Sequence, residues 1–170
     1  DLDAVAALDL ATRSVVDRWH LAGCIEPSGM AVDEVARRLF IGCSRSATLV
    51  VFDLDAHVVT AMIPVGGGPD SVAFDPSLHR IYTAGKAGVL TVIQQRSPDI
   101  YSILDSIELH YGAHTLVVDP LTSNVYVGYA SLLVRSRVAV FAPRPANKPS
   151  ASGPAARRLM ATQVDYMNQD

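Results

Sequence analysis

Three segments of this chain superpose on one another. They lie 42 and 44 residues apart, each unit reads as four short strands with turns between them, and both ends of the pattern fall partway through a unit. These observations predict an all-β fold, a β-propeller of about three and a half four-stranded antiparallel blades in an incomplete ring.

The superposable segments are PSGMAVDEVARRLFIGC from Pro27, PDSVAFDPSLHRIYTAG from Pro69 and AHTLVVDPLTSNVYVGY from Ala113, which align Asp33, Asp75 and Asp119. With strands named A to D from the axis outward, strand A is Gly29 to Val32, Ser71 to Phe74 and Thr115 to Val118. Each A strand ends in a turn opened by Asp, followed twice by Pro (Asp75-Pro76, Asp119-Pro120), because Pro pre-sets the backbone angle that a type I turn needs there. Strand B is Leu39 to Cys43, Ile81 to Ala84 and Val125 to Tyr129. Strand C is Thr48 to Asp53, Val89 to Gln94 and Arg137 to Ala142, and strand D is Val58 to Val65 and Ile103 to Leu109. Val, Ile, Leu and aromatic residues dominate these runs, bounded by Gly, Pro, Asp or Ser.

Stacked blades hide both faces, so runs such as Leu49-Val50-Val51-Phe52 need not alternate with polar residues. Gly29, Ala31, Ser71 and Ala73 in the innermost strand suit the taper towards the axis. Val5 to Leu10 match strand C and Val15 to Leu21 match strand D, so the first unit is read without A and B. The organisation expected is a partial propeller over 1–142 (strands C-D, a blade at 23–65, a blade at 66–109, strands A-B-C at 110–142). A Pro/Ser/Ala-rich linker and tail over 143–170 follows, with a weak helical pattern from Ala155 to Met167 and disorder expected in isolation. Unpaired edges and uncovered faces then call for partners: the remaining blades of a longer chain, or a second subunit.

Composition sets further bounds. Of 170 residues, 49 % are hydrophobic and 18 % charged, which requires a buried core. The net charge of −3 carries no basic run of the kind nucleic acid or an anionic membrane attracts. No apolar stretch approaches the roughly 20 residues needed for a membrane span, and Asp1-Leu2-Asp3-Ala4 lacks the features of a signal peptide. Neither nucleic acid binding nor membrane insertion is expected.

The unit P-x-x-(V/L)-A-(V/F)-D-P-x-x-x-R-(I/L)-(Y/F), with a D strand ending in Ile63-Pro64-Val65-Gly66-Gly67-Gly68-Pro69, resembles the YVTN-type repeat of bacterial YncE-like β-propellers. The resemblance runs from about Ala4 to Ala142. It implies the C-terminal portion of a seven-bladed ring, in a protein that is exported to the periplasm or beyond, and it implies no particular reaction. Two departures stand out: Gln94-Gln95 replaces the usual acidic end of strand C, and residues 131–136 lengthen one loop.

Propeller D-to-A and B-to-C loops gather at one face around the axis. Ser28, Asp70 and His114 share one repeat position on that rim, with Glu26 and His110 close in sequence. Carboxylate and imidazole from adjacent blades suit ligand binding, a metal or a shared proton, but they equally suit hydrogen bonds to loop amides. No H-E-x-x-H and no nucleophile elbow accompanies them, so no catalytic residue and no cofactor is assigned, and a metal is left open. Gly66-Gly67-Gly68 reads as a tight inter-blade turn rather than a phosphate loop, because a strand follows it and Lys is missing. Cys24 and Cys43 stand either as a disulfide or as two buried thiols. Trp19 reads as blade packing, while Arg37-Arg38, His79-Arg80 and Lys86 read as isolated turn charges on solvated loops. The function expected is a non-catalytic binding or scaffold module that presents axial-face loops to a protein, peptide or small ligand. The alternative is a propeller enzyme, a lactonase-like hydrolase or quinoprotein-like oxidoreductase.

Overall fold

The computed structural model describes residues 3–130 and 136–143. The lengthened loop at 131–135, the tail after Pro143 and the helical pattern at Ala155 to Met167 lie outside the described residues. Thirteen strands and no helix occur among the described residues. They form a two-stranded sheet of β1 (Ala4–Asp9) and β2 (Ser14–His20), then a four-stranded sheet of β3 (Pro27–Asp33), β4 (Arg38–Cys43), β5 (Thr48–Asp53) and β6 (Val58–Pro64). A second four-stranded sheet holds β7 (Pro69–Asp75), β8 (Arg80–Gly85), β9 (Val89–Ser97) and β10 (Ile100–Glu108), and a three-stranded sheet holds β11 (Ala113–Val118), β12 (Val125–Tyr129) and β13 (Arg137–Phe141). Every pairing is between sequence neighbours and antiparallel, the meander expected of propeller blades, and the four sheets do not close on themselves.

Tight turns shape each hairpin by one repeated device. Asp9, Asp33, Asp53, Asp75 and Asp119 each turn a carboxylate oxygen back onto amides two or three residues ahead, as in Val35 N and Ala36 N to Asp33 Oδ1 at 3.1 and 3.0 Å. Four residues after each Asp the backbone swings to positive φ: Arg13, Arg37, His57, His79 and Ser123 lie between 50° and 59°. This is a type I turn closed by a left-handed residue, a geometry that matches the twist of the two strands.

Three apolar layers lie between consecutive sheets. Leu21, Ile41, Val50 and Phe52 pack with Trp19 between the first two sheets. Phe40, Leu49, Val51, Ile63, Ile81 and Ile93 fill the next gap, and Tyr82, Leu90, Val125 and Val127 fill the third. Strand alternation explains the sorting, since Phe40 and Ile41 point to opposite faces of β4 and so enter different layers. Trp19 stacks near Phe52 and His57 at 5.8 and 4.4 Å between ring centres, a packing role. The innermost strands touch directly: a Cβ on Gly29 would fall 2.7 Å from Ser71 Cα, so the axis admits only the smallest side chain there.

Apolar side chains stand in solvent on two faces, one turned towards the two-stranded first sheet and one at the far end of the stack. Met30 and Val32, 57 % and 42 % exposed, share the β3 face that pairs with Ile41 and Leu39. Val117 and Val138 stand on the β11–β13 face opposite the third layer, 59 % and 50 % exposed.

One expectation needs correction. Arg38 and Arg80 are not isolated charges on solvated loops. They open strand B, where the pleat sends the side chain into the gap between sheets. Arg38 is 11 % exposed and bridges Asp53 of its own sheet (2.8 Å) and Asp99 of the next (3.0 Å). Arg80 has its Nε buried. Lys86 is exposed and approaches Asp70.

Candidate functional site: a bulged rim

The three A–B pairings share an irregularity at the same place. The register slips between Pro27 and Met30, between Pro69 and Ser71, and between Ala113 and Thr115. The residues left without a partner include Ser28, Asp70 and His114. A bulge bends the strand and re-aims its extra side chain, which is how Asp70 and His114, at one repeat position on two sheets, come to present polar groups at the rim.

These groups meet pairwise. His114 Nδ1 lies 3.5 Å from Asp70 Oδ2, and Lys86 Nζ from the B–C loop lies 3.8 Å from the same oxygen. Asp70 is 17 % exposed and its Oδ2 makes no hydrogen bond among the described residues, whereas His114 is 40 % exposed. Two cationic-capable donors therefore converge on one shielded carboxylate oxygen, and the imidazole remains open to solvent. Such a trio can accept or give hydrogen bonds to a bound group.

The other sequence candidates are placed elsewhere. Ser28 Oγ donates to Pro69 O at 2.7 Å, tying β3 to β7, and also lies 3.2 Å from Gly42 O. Ser71 makes the equivalent tie on the next sheet, its Oγ accepting Leu116 N at 3.1 Å. Glu26 sits at positive φ in the loop before β3 and forms an ion pair with Arg45 and a hydrogen bond from Ser44. His110 is exposed and meets Tyr129 edge-on at 6.0 Å between ring centres. Glu26 thus does not join Asp70 and His114. Among the described residues no group of three or more His, Cys, Asp or Glu is placed to hold a metal ion.

The rim is braced from behind. Cys24 and Cys43 are joined in a disulfide that ties the loop entering β3 to the end of β4, with Cα atoms 5.2 Å apart and both sulfurs buried in the first apolar layer. Gly67 and Gly68 take positive φ, and Gly67 O accepts Ala87 N at 3.4 Å, so the glycine run is a packed turn against the B–C loop. Lys86 is the rim residue that sequence reasoning set aside as a solvated charge. Its signal was its place in the B–C loop, which the propeller pattern already assigns to the same face.

No known protein family matches the chain, and no curated protein does. Solved structures do. Hydrazine synthase of Kuenenia stuttgartiensis superposes with a TM-score of 0.73 at 18 % identity, over 82 % of this chain and 40 % of that one. A functionally unknown protein from Desulfotomaculum acetoxidans DSM 771 superposes with a TM-score of 0.66 at 20 % identity, over 82 % of this chain and 44 % of that one. The chain thus spans less than half the length of these structures. At such identities the likeness is one of fold, and the chain is an all-β, propeller-type stack of antiparallel sheets.

Proposed function

We propose that this chain is part of a YVTN-type, YncE-like propeller of an exported bacterial protein. In this reading it is a non-catalytic binding or scaffold module whose rim receives a protein, peptide or small ligand. The observation that carries the proposal is the Asp70–His114–Lys86 cluster, built at a bulged repeat position on a rigid sheet stack and open to solvent on the His114 side. Glu26 and Ser28 spend their polar atoms on loop and strand neighbours, which suits a rim fixed for recognition. The Cys24–Cys43 disulfide supports a periplasmic or extracellular location, where such bonds persist. Exposed Met30, Val32, Val117 and Val138 support cover by further blades of a longer chain or by a second subunit.

The test uses the full chain on a peptide array, beside assays for hydrolysis of a γ-lactone and reduction of a redox dye. Saturable binding that is lost in Asp70→Ala and His114→Ala, at unchanged melting temperature, supports the proposal. Turnover abolished by the same substitutions transfers the rim to catalysis, and binding indifferent to both removes the rim from the reading.

A further inference from the structure

The two gaps between the last three sheets are built from the same repeat positions but are filled differently. In the gap between the four-stranded sheets, Arg38 opens β4 and is neutralised by Asp53 across the pair and by Asp99, from the hairpin between β9 and β10 of the next sheet. Two residues after Asp99, Tyr101 on β10 packs edge-on over Phe40 at 6.1 Å between ring centres. Burial there pushes the Tyr101 hydroxyl up to about 12. Gln95 completes the seal by donating to the buried Asp33 Oδ2 at 2.9 Å.

In the gap between the second four-stranded sheet and β11–β13, the counterparts among the described residues differ. Arg80 takes the place of Arg38, yet its cross-strand partner is Gln94 where Arg38 has Asp53. Gln94 turns its amide onto the carbonyls of Leu78 and His79. The register of β12 with β13 puts Ala142 and Pro143 where Gln94 and Gln95 stand one sheet earlier. Arg80 Nε and Asp75 Oδ2 are accordingly buried with no hydrogen-bond partner among the described residues. Beside them lies a cleft of about 170 Å³ lined by Arg80, Tyr82, Leu90, Leu104, Val125 and Phe141 among others. Asp105 also lines it, with one carboxylate oxygen engaged by Ser106 N. Among the described residues the space lies beside β13, the last strand of its sheet, a position followed in the two four-stranded sheets by a fourth strand.

We propose that this cleft is a docking site for an extended partner peptide carrying an acidic-x-aromatic pattern, added as a strand along β13. Its carboxylate meets Arg80 and its aromatic ring lies over Tyr82. The occupant's chemistry is read from the neighbouring gap, where Asp99-Ile100-Tyr101 supplies that pattern to Arg38 and Phe40. Main-chain hydrogen bonds of the added strand supply affinity, and the two alternate side chains supply selectivity. The cleft is separate from the Asp70–His114 rim, so substitutions at either site report on that site alone.

The probe is a fluorescein-labelled peptide PDIYSILDSIE, the sequence of residues 98–108, titrated into the full chain and followed by anisotropy. Hydrogen exchange at residues 137–141 serves as a second readout. Saturable binding with added protection of β13 is expected. Peptides carrying Asp99→Asn or Tyr101→Ala should each bind at least about tenfold more weakly, as expected when one member of a buried charge pair or an anchoring ring is removed. Arg80→Gln should weaken the parent peptide to the level of the Asn peptide and erase the difference between the two. Both peptide variants leave the protein untouched, so misfolding of Arg80→Gln cannot mimic the result. Absence of binding, an Asn peptide as tight as the parent, or protection appearing away from β13 would each overturn the proposal.

Discussion

Gln95 Nε2 donates to Asp33 Oδ2 at 2.9 Å in a buried contact that joins the C–D side of one sheet to the A–B turn of the sheet before it. The same Asp33 turns its other oxygen to the amides of Val35 and Ala36. One carboxylate therefore shapes a turn and anchors the neighbouring sheet.

Removing the amide leaves a shielded oxygen without a donor, and the cost of an unsatisfied buried acceptor is about 1–3 kcal/mol. Gln95 Oε1 is itself buried without a partner among the described residues, which offsets part of that cost, so Gln95→Ala is expected to lower unfolding stability by the low end of the range, about 1 kcal/mol, in urea titrations. An unchanged midpoint would show that water replaces the amide freely.

The disulfide between Cys24 and Cys43 closes a loop with a sequence separation of 19. Chain-entropy arguments assign a loop of this size about 3 kcal/mol of stabilisation. The double variant Cys24→Ala/Cys43→Ala is expected to unfold at lower denaturant by a corresponding margin while keeping its β-sheet circular dichroism. Equal stability of the bridged and alanine forms would remove the disulfide from the account of rim rigidity.

Ala47 and Gly88 occupy the same place in successive B–C loops, at φ of 50° and 79°. Their carbonyls accept equivalent bonds from Val65 N at 2.9 Å and Leu109 N at 2.7 Å. A left-handed backbone disfavours a residue with a Cβ by about 1 kcal/mol or more. Ala47→Gly is expected to stabilise the fold by about 0.5–1 kcal/mol, the left-handed strain being partly offset by glycine's greater chain entropy. Gly88→Ala is expected to destabilise, since its Cβ would lie 2.7 Å from Leu109 O. Thermal melts of the two variants should move in opposite directions.

Acid should weaken the stack through its turns. The amides of Thr12 and Ala11 hold Asp9 below the usual aspartate range, and those of Ala56 and Asp55 do the same for Asp53. The Thr122 hydroxyl and the Leu121 amide hold Asp119 low. At Asp75 burial opposes ionisation, but the hydroxyls of Ser77 and Ser123 and nearby amides outweigh it. All four carboxylates are easier to ionise folded than unfolded, so their stabilisation is complete above the unfolded aspartate value near about 4. It is lost as pH falls through the lower folded values. Urea midpoints should hold steady down to about pH 5 and then fall. Asp53→Asn, which retains an oxygen for the turn amides, should flatten that decline. A midpoint that rises towards low pH would contradict the assignment.

Much of the fold was legible because its signals are local and repeat. Turn aspartates followed four residues later by a left-handed position, together with runs of Val, Ile and Leu, locate all thirteen strands to within a few residues. The rim was legible only in part. Ser28, Asp70 and His114 share a repeat position, but that shared position does not say which way each side chain turns. The bulge sends Asp70 towards His114 and Lys86 and sends Ser28 into a strand-to-strand tie.

Sequence alone determined the stacking of antiparallel four-stranded units, since period, turn chemistry and doubly apolar strands are properties of consecutive residues. Tertiary structure decided which charges are buried, which is why Arg38 and Arg80 were misread as solvated. A side chain at the head of strand B is an exposed turn cation or a buried inter-sheet anchor according to what the next sheet places against it. Asp99 lies 61 residues beyond Arg38 in the chain. Coulombic pairing over such a separation depends on three-dimensional approach, which no local pattern of residues encodes.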